Sequence, residues 1–126
     1  MRLLLDTHVV LWQLSGSRRL GPKASAAIAQ AAELRFSVVS YAEIGIKAAV
    51  GKLTVPDDLH EHIMRTGVGV LTLTSDHGLA VAELPMHHRD PFDRLLIAQA
   101  RSEALTVVTA DSRFACYDVT MIDATR

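Results

Sequence analysis

Five short apolar runs constrain what this chain can fold into. They are Leu3-Leu4-Leu5, Phe36-Ser37-Val38-Val39, Val70-Leu71-Thr72-Leu73, Leu105-Thr106-Val107-Val108 and Val119 to Ile122. Each has the length of a strand, and a continuous apolar run suits a strand covered on both faces. The segments between the first four carry helical start and stop signals. Strands alternating with helices join parallel neighbours through right-handed crossovers. The chain is therefore expected to be α/β, with a mainly parallel central sheet flanked by helices on both faces. The Val119 strand is expected at an edge.

The helical segments follow from their punctuation. Thr7 to Leu14 ends at Ser15-Gly16, and a second helix opens at Gly21-Pro22 and runs to about Ala32. Ser40 to Val50 stops at Gly51, Pro56-Asp57 opens a helix to about Thr66, and Ser75 to Leu84 ends at Pro85. On the first helix Val10, Leu11 and Leu14 share one side, while Val9 and Trp12 face the other and need a separate cover. On the Ser40 helix Glu43 and Lys47 form a narrow polar stripe. Ile46 and Val50 wall it on one flank, Ile44 and Ala48 on the other, as expected of a pocket lining.

The last helix opens with the most informative stretch, His87-His88-Arg89-Asp90-Pro91-Phe92-Asp93-Arg94. Asp90 suits the N-cap, Pro91 the first helical position and Asp93 the first turn. Leu95, Leu96, Ile97, Ala98 and Ala100 then make a helix apolar almost all round, so it is expected to be buried.

Carboxylates recur at one place in this scheme. Ligands of an open parallel sheet gather at the carboxyl ends of its strands. Asp6 directly follows the first strand, Glu43 lies one turn beyond the second, and Asp111 directly follows the fourth. Asp90 and Asp93 begin the helix that feeds the fourth strand, so they lie at the same end. Each acid also has a plain reading as a helix cap: Asp6 for Thr7, Ser40 with Glu43 as a capping box, Asp111 for Ser112. Convergence of all of them is a stronger signal, because such a cluster repels itself unless a cation is shared. Carboxylate oxygens suit Mg²⁺ or Mn²⁺, whereas zinc prefers His or Cys. A cation so held activates water and clamps phosphoryl oxygens.

Taken together, Leu3-Leu4-Leu5-Asp6-Thr7-His8, Ser40-Tyr41-Ala42-Glu43-Ile44, His88 to Leu96 and Thr109-Ala110-Asp111 resemble the PIN-domain nucleases, and more narrowly the VapC toxins of bacterial toxin–antitoxin pairs. The resemblance implies a PIN-like fold and a Mg²⁺- or Mn²⁺-dependent ribonuclease, commonly dimeric and inhibited by an antitoxin. It implies Asp6, Glu43 and Asp93 as the core acids and Asp111 as a more variable fourth. Asp90 would belong to the signature around Asp93 rather than to the ligand set. Tyr41 stands where many members carry Trp.

Other residues fit supporting roles. Lys47 is placed for an ion pair with Glu43 or for a substrate phosphate, and Ser40 and Thr109 for orienting water or for capping. Arg94 and Arg101, seven apart, read as a solvated stripe. His60 and His62 fall on different helix faces, His87-His88 lacks ligand spacing, and His8 and His77 read as structural.

Bulk properties narrow the field. A chain of 126 residues, 49% hydrophobic and 21% charged, fits one globular domain spanning residues 1–126. No apolar run approaches the roughly 18 residues that span a membrane, and Asp6 interrupts the N-terminal leucines, so neither a membrane nor a signal peptide is expected. Cys116 is the only cysteine, which fits a reducing cytoplasm. The net charge of -1 gives no global field for nucleic acid, so RNA contact is expected from local basic residues or bound metal. A haloacid-dehalogenase-like phosphatase needs a second Asp at position 8, which is His8. A receiver domain needs a Lys after a late strand, and the lysines are Lys23, Lys47 and Lys52. A PIN-like scaffold that binds RNA or protein without cutting it remains the alternative from another class.

Overall fold

The computed structural model describes residues 1–126. Its centre is β1 (Arg2–Leu5), whose three leucines are wholly buried. Successive side chains of a strand point to opposite faces, so Leu3 and Leu5 enter one core and Leu4 the other. Burying each leucine contributes roughly 1.5–3 kcal/mol. Around β1 lie β2 (Glu33–Ser37), β3 (Gly69–Leu71), β4 (Thr106–Thr109) and β5 (Met121–Asp123), in the order β3-β2-β1-β4-β5. Every pairing is parallel, and β5 is an edge, as expected.

Helices cover both faces. On one, α1 (Thr7–Ser15), α2 (Pro22–Gln30) and α4 (Leu59–Arg65) pack Val9, Val10, Ile28 and Ile63 against Leu3 and Leu5. On the other, α5 (Ser75–Ala80), the 3-10 turn Val81–Glu83 and α6 (Pro91–Glu103) pack Leu84, Leu96 and Ile97 against Leu4 and Val107. The helix that directly follows β2, α3 (Val38–Ala49), serves both cores through Ile44 and Val39. No helix is long and apolar enough to cross a membrane.

Several boundaries differ from the sequence reading, each for a local reason. The second strand lies earlier, because Ser37 accepts the Val39 N–H through its Oγ and starts α3 there. Val38 and Val39 are consequently helical, and the Ser40–Glu43 capping box does not form. The helix after Pro56 begins only at Leu59, and Asp57 does not cap it; Asp58 holds the N-cap position without a side-chain bond. The third strand stops at Leu71, since Thr74 caps α5 in a reciprocal pair with His77. That helix yields to the 3-10 turn after Ala80. The cover expected for Val9 comes from its own chain, where it is fully buried in the core that holds Leu3 and Leu5.

Candidate functional site

The acidic site is built at the carboxyl ends of β1 and β4, the two strands where the order of the sheet reverses. Asp6 leaves β1 extended and accepts the Thr7 N–H at 2.7 Å, so it caps α1 as well as facing the site. Its other oxygen accepts a bond from Thr109 Oγ1 at 2.7 Å, across the β1–β4 seam. Thr109 also receives the Asp111 N–H at 3.1 Å and so fixes the turn that carries Asp111.

Glu43 is supplied by the second turn of α3 and is 4% exposed. Thr7 Oγ1 donates to its Oε1 at 2.6 Å and lies 2.8 Å from Ser40 Oγ. Lys47, one turn on, donates to Oε2 at 2.5 Å, and this bond lifts the Lys47 ammonium above its ordinary pKa despite partial burial. Ser40 therefore supports Glu43 through Thr7. Asp90 caps α6 by accepting the N–H groups of Phe92 and Asp93 on Oδ1, at 2.9 and 3.1 Å.

Asp6, Glu43, Lys47, Asp90, Asp93 and Asp111 line one cleft of about 370 Å³, together with His8, Trp12, Ala110 and Arg113. The three core acids expected from the sequence, the more variable fourth, Asp111, and Asp90 with them are thus brought together. Their electrostatics follow from crowding. Burial and the carboxylates of Asp6, Asp90, Glu43 and Asp111 push the Asp93 carboxyl from 3.8 up to about 8. Burial also raises Asp6, against the bonds from Thr109 and Thr7. For Asp111 burial acts upward too, but the hydrogen bonds and charge of Arg113 win and leave it below its ordinary value. Arg113 reaches both oxygens of Asp111, Nε to Oδ1 at 3.0 Å and Nη2 to Oδ2 at 2.9 Å.

Oxygen-rich and self-repelling, this donor set fits a hard divalent cation. The tightest group is narrower than the sequence implied and includes a nitrogen. Nε2 of His88 and one oxygen each of Asp93 and Asp111 lie within 4.8 Å of one another. Asp6 and Glu43 stand outside that group, Asp6 held by Thr109 Oγ1 and the Thr7 N–H, and Glu43 by Thr7 Oγ1 and Lys47.

Three site residues escaped the sequence reading. Thr7 was signalled only by adjacency to Asp6, and Arg113 only by standing two residues after Asp111. His88 lacks ligand spacing in the sequence, yet it is 4% exposed and its Nε2 lies 2.7 Å from Asp93 Oδ2 and 3.1 Å from Asp111 Oδ2. Its approach depends on an irregular loop, which periodicity does not report. Arg94 also departs from expectation. It is no solvated stripe but 7% exposed, donating to the carbonyls of Val81, Leu84, Pro85 and His88 and to Tyr117 Oη. Arg101 is exposed, as expected.

Comparison with known proteins identifies the family. The PIN domain family model matches residues 3–119, which contain every acid of the site. Ribonuclease VapC22 of Mycobacterium tuberculosis is 33% identical over 88% of each chain. This chain belongs to the PIN-domain family, in its VapC branch. Solved structures bear out the PIN fold. VapBC2 from Rickettsia felis, bound to a DNA fragment from its promoter, superposes with a TM-score of 0.73 over 98% of both chains at 14% identity. FitAcB from Neisseria gonorrhoeae superposes with 0.71 over 97% of both at 19%. The Tyr41 ring packs edge-on against Phe36, and its hydroxyl meets His60 Nδ1 at 2.8 Å.

Proposed function

We propose that this chain is an endoribonuclease toxin, one domain over residues 1–126, which hydrolyses RNA phosphodiester bonds with the help of Mg²⁺ or Mn²⁺ in the cytoplasm and is silenced by an antitoxin. One observation carries the reading. Five carboxylates from four separate segments share one cleft, and burial together with their mutual repulsion holds Asp93 at about 8. A fold bears that cost where a cation is to be bound. Asp6, Glu43, Asp93 and Asp111 would hold it, and once bound it would supply water activation and charge neutralisation at the phosphoryl group.

The chain's own residues do the rest. Thr109 fixes Asp6 across the sheet, and Thr7 with Ser40 orients Glu43. Lys47 and Arg113 line the cleft and offer cationic contacts to substrate phosphates, which a net charge of -1 otherwise does not supply.

Partner binding is supported by the surface beside the cleft. A mainly apolar cavity of about 460 Å³ is lined by Leu11, Trp12, Leu14, Leu53, Val55 and Leu59, among others. His8 and Trp12 line both this cavity and the acidic cleft. An antitoxin segment with apolar side chains in the first and an Arg or Lys in the second would satisfy the carboxylates and compete with the cation. Ile46 on α3 and Val50 at its C-cap, 54% and 64% exposed, offer separate apolar surface for a second copy in a homodimer.

Incubation of the purified chain with RNA and Mg²⁺ tests the activity. Cleavage is expected from the native chain, and RNA binding without cleavage from Asp6→Asn. Tight binding with intact RNA for both would instead support the non-catalytic PIN-like scaffold.

A further inference from the structure

His88 is held from several sides before its ring reaches the carboxylates. Its backbone N–H donates to Tyr117 Oη at 2.7 Å, and its carbonyl accepts from Arg94 Nη1 at 3.3 Å. The ring packs edge-on against Phe114, and its Nδ1 accepts the Asp90 N–H at 3.3 Å. A ring nitrogen that accepts a backbone N–H carries no proton. The proton is therefore on Nε2, which faces Asp93 Oδ2 at 2.7 Å and Asp111 Oδ2 at 3.1 Å.

We infer that His88 is a positioning residue of the acidic site, donating its Nε2–H to Asp93 and Asp111 rather than ligating a metal itself. This rests on the cation reading proposed above. The competing arrangement, a mixed nitrogen–oxygen site made by His88, Asp93 and Asp111, is allowed by distance. It fails on the ring's other nitrogen. To ligate through Nε2, a neutral imidazole must carry its proton on Nδ1, where it would meet the Asp90 N–H head-on. That N–H belongs to the N-cap residue of α6, and the loop before it is pinned by Arg94 and Tyr117, so neither side yields cheaply.

The assignment sorts the oxygens of the two acids. Both oxygens of Asp111 are engaged, Oδ1 by Arg113 and Oδ2 by Arg113 and His88. Asp93 is engaged only at Oδ2, leaving Oδ1 directed by the His88 bond and available to a cation. The ligand set stays all-oxygen, which suits Mg²⁺ as well as Mn²⁺.

Two measurements on the intact chain test this without depending on how a variant folds. Histidine-selective ¹H–¹⁵N spectra are expected to show the Nε2–H tautomer of His88 both in EDTA and in Mg²⁺. Pulsed electron paramagnetic resonance of the Mn²⁺-loaded chain is expected to show no directly coordinated nitrogen. By calorimetry, His88→Ala should bind Mn²⁺ roughly 10- to 100-fold more weakly. His88→Gln, whose amide N–H₂ takes the place of Nε2–H, should recover most of that loss. A strong ¹⁴N coupling that vanishes in His88→Gln, or Mn²⁺ affinity unchanged in His88→Ala, would overturn the positioning role and leave the cation reading standing. Failure of the native chain to bind either ion would overturn both.

Discussion

Asp93 is where charge, burial and function meet most sharply. Its carboxyl sits at about 8 instead of 3.8, first through burial and then through Asp6, Asp90, Glu43 and Asp111. The folded chain therefore keeps a proton that the unfolded chain releases near pH 4. The stability this contributes is complete below that pH and is lost as pH rises through about 8. In EDTA the melting midpoint is expected to fall between about pH 5 and about pH 9, and Asp93→Asn should flatten that slope. Adding Mg²⁺ should act most strongly at the alkaline end, because the cation takes the ionised carboxylate. A midpoint that rises with pH in EDTA, or a slope unchanged in Asp93→Asn, would mean that Asp93 is not under this strain.

At the scale of elements, α6 shows how one helix serves both core and site. Asp90 and Pro91 start it, Leu96 and Ile97 bury it, and Arg94 ties its first turns to the loop that carries His88. It ends on Ala104 at φ 54°, ψ 46°, a left-handed position that favours glycine. Ala104→Gly should therefore stabilise the chain by about 1 kcal/mol, raising the melting midpoint by roughly 3–5 °C with no change at the site. A lower midpoint would show that the Ala104 methyl contributes more by packing than it costs by strain. The same helix marks what was legible in the sequence. Its cap, its buried face and its two acids follow from local chemistry and period, as do the parallel sheet and the positions of Asp6 and Asp111. The roles of Arg94 and His88 do not, since both depend on contacts with loop carbonyls, Tyr117 and Asp111 that no spacing encodes. The start of α3 is not legible in the sequence, because Ser37 and Ser40 offer the same capping chemistry and only packing chooses Ser37.

For the whole molecule, the acidic cleft and the apolar cavity are neighbours that share His8 and Trp12 in their linings. Trp12→Ala should lose antitoxin binding while retaining RNA cleavage, and inhibition of the native chain should weaken as Mg²⁺ is raised. Unchanged antitoxin affinity in Trp12→Ala would place the partner elsewhere. The central claim, that the carboxylate cleft hydrolyses RNA with a divalent cation, is tested most directly by the ends of the cleaved RNA with and without EDTA. Attack by water leaves a 5′-phosphate and a 3′-hydroxyl, whereas attack by the RNA 2′-hydroxyl leaves a cyclic phosphate. The account predicts 5′-phosphate and 3′-hydroxyl ends, formed in Mg²⁺ or Mn²⁺ and abolished by excess EDTA; cyclic-phosphate ends, or cleavage that persists in EDTA, would contradict it.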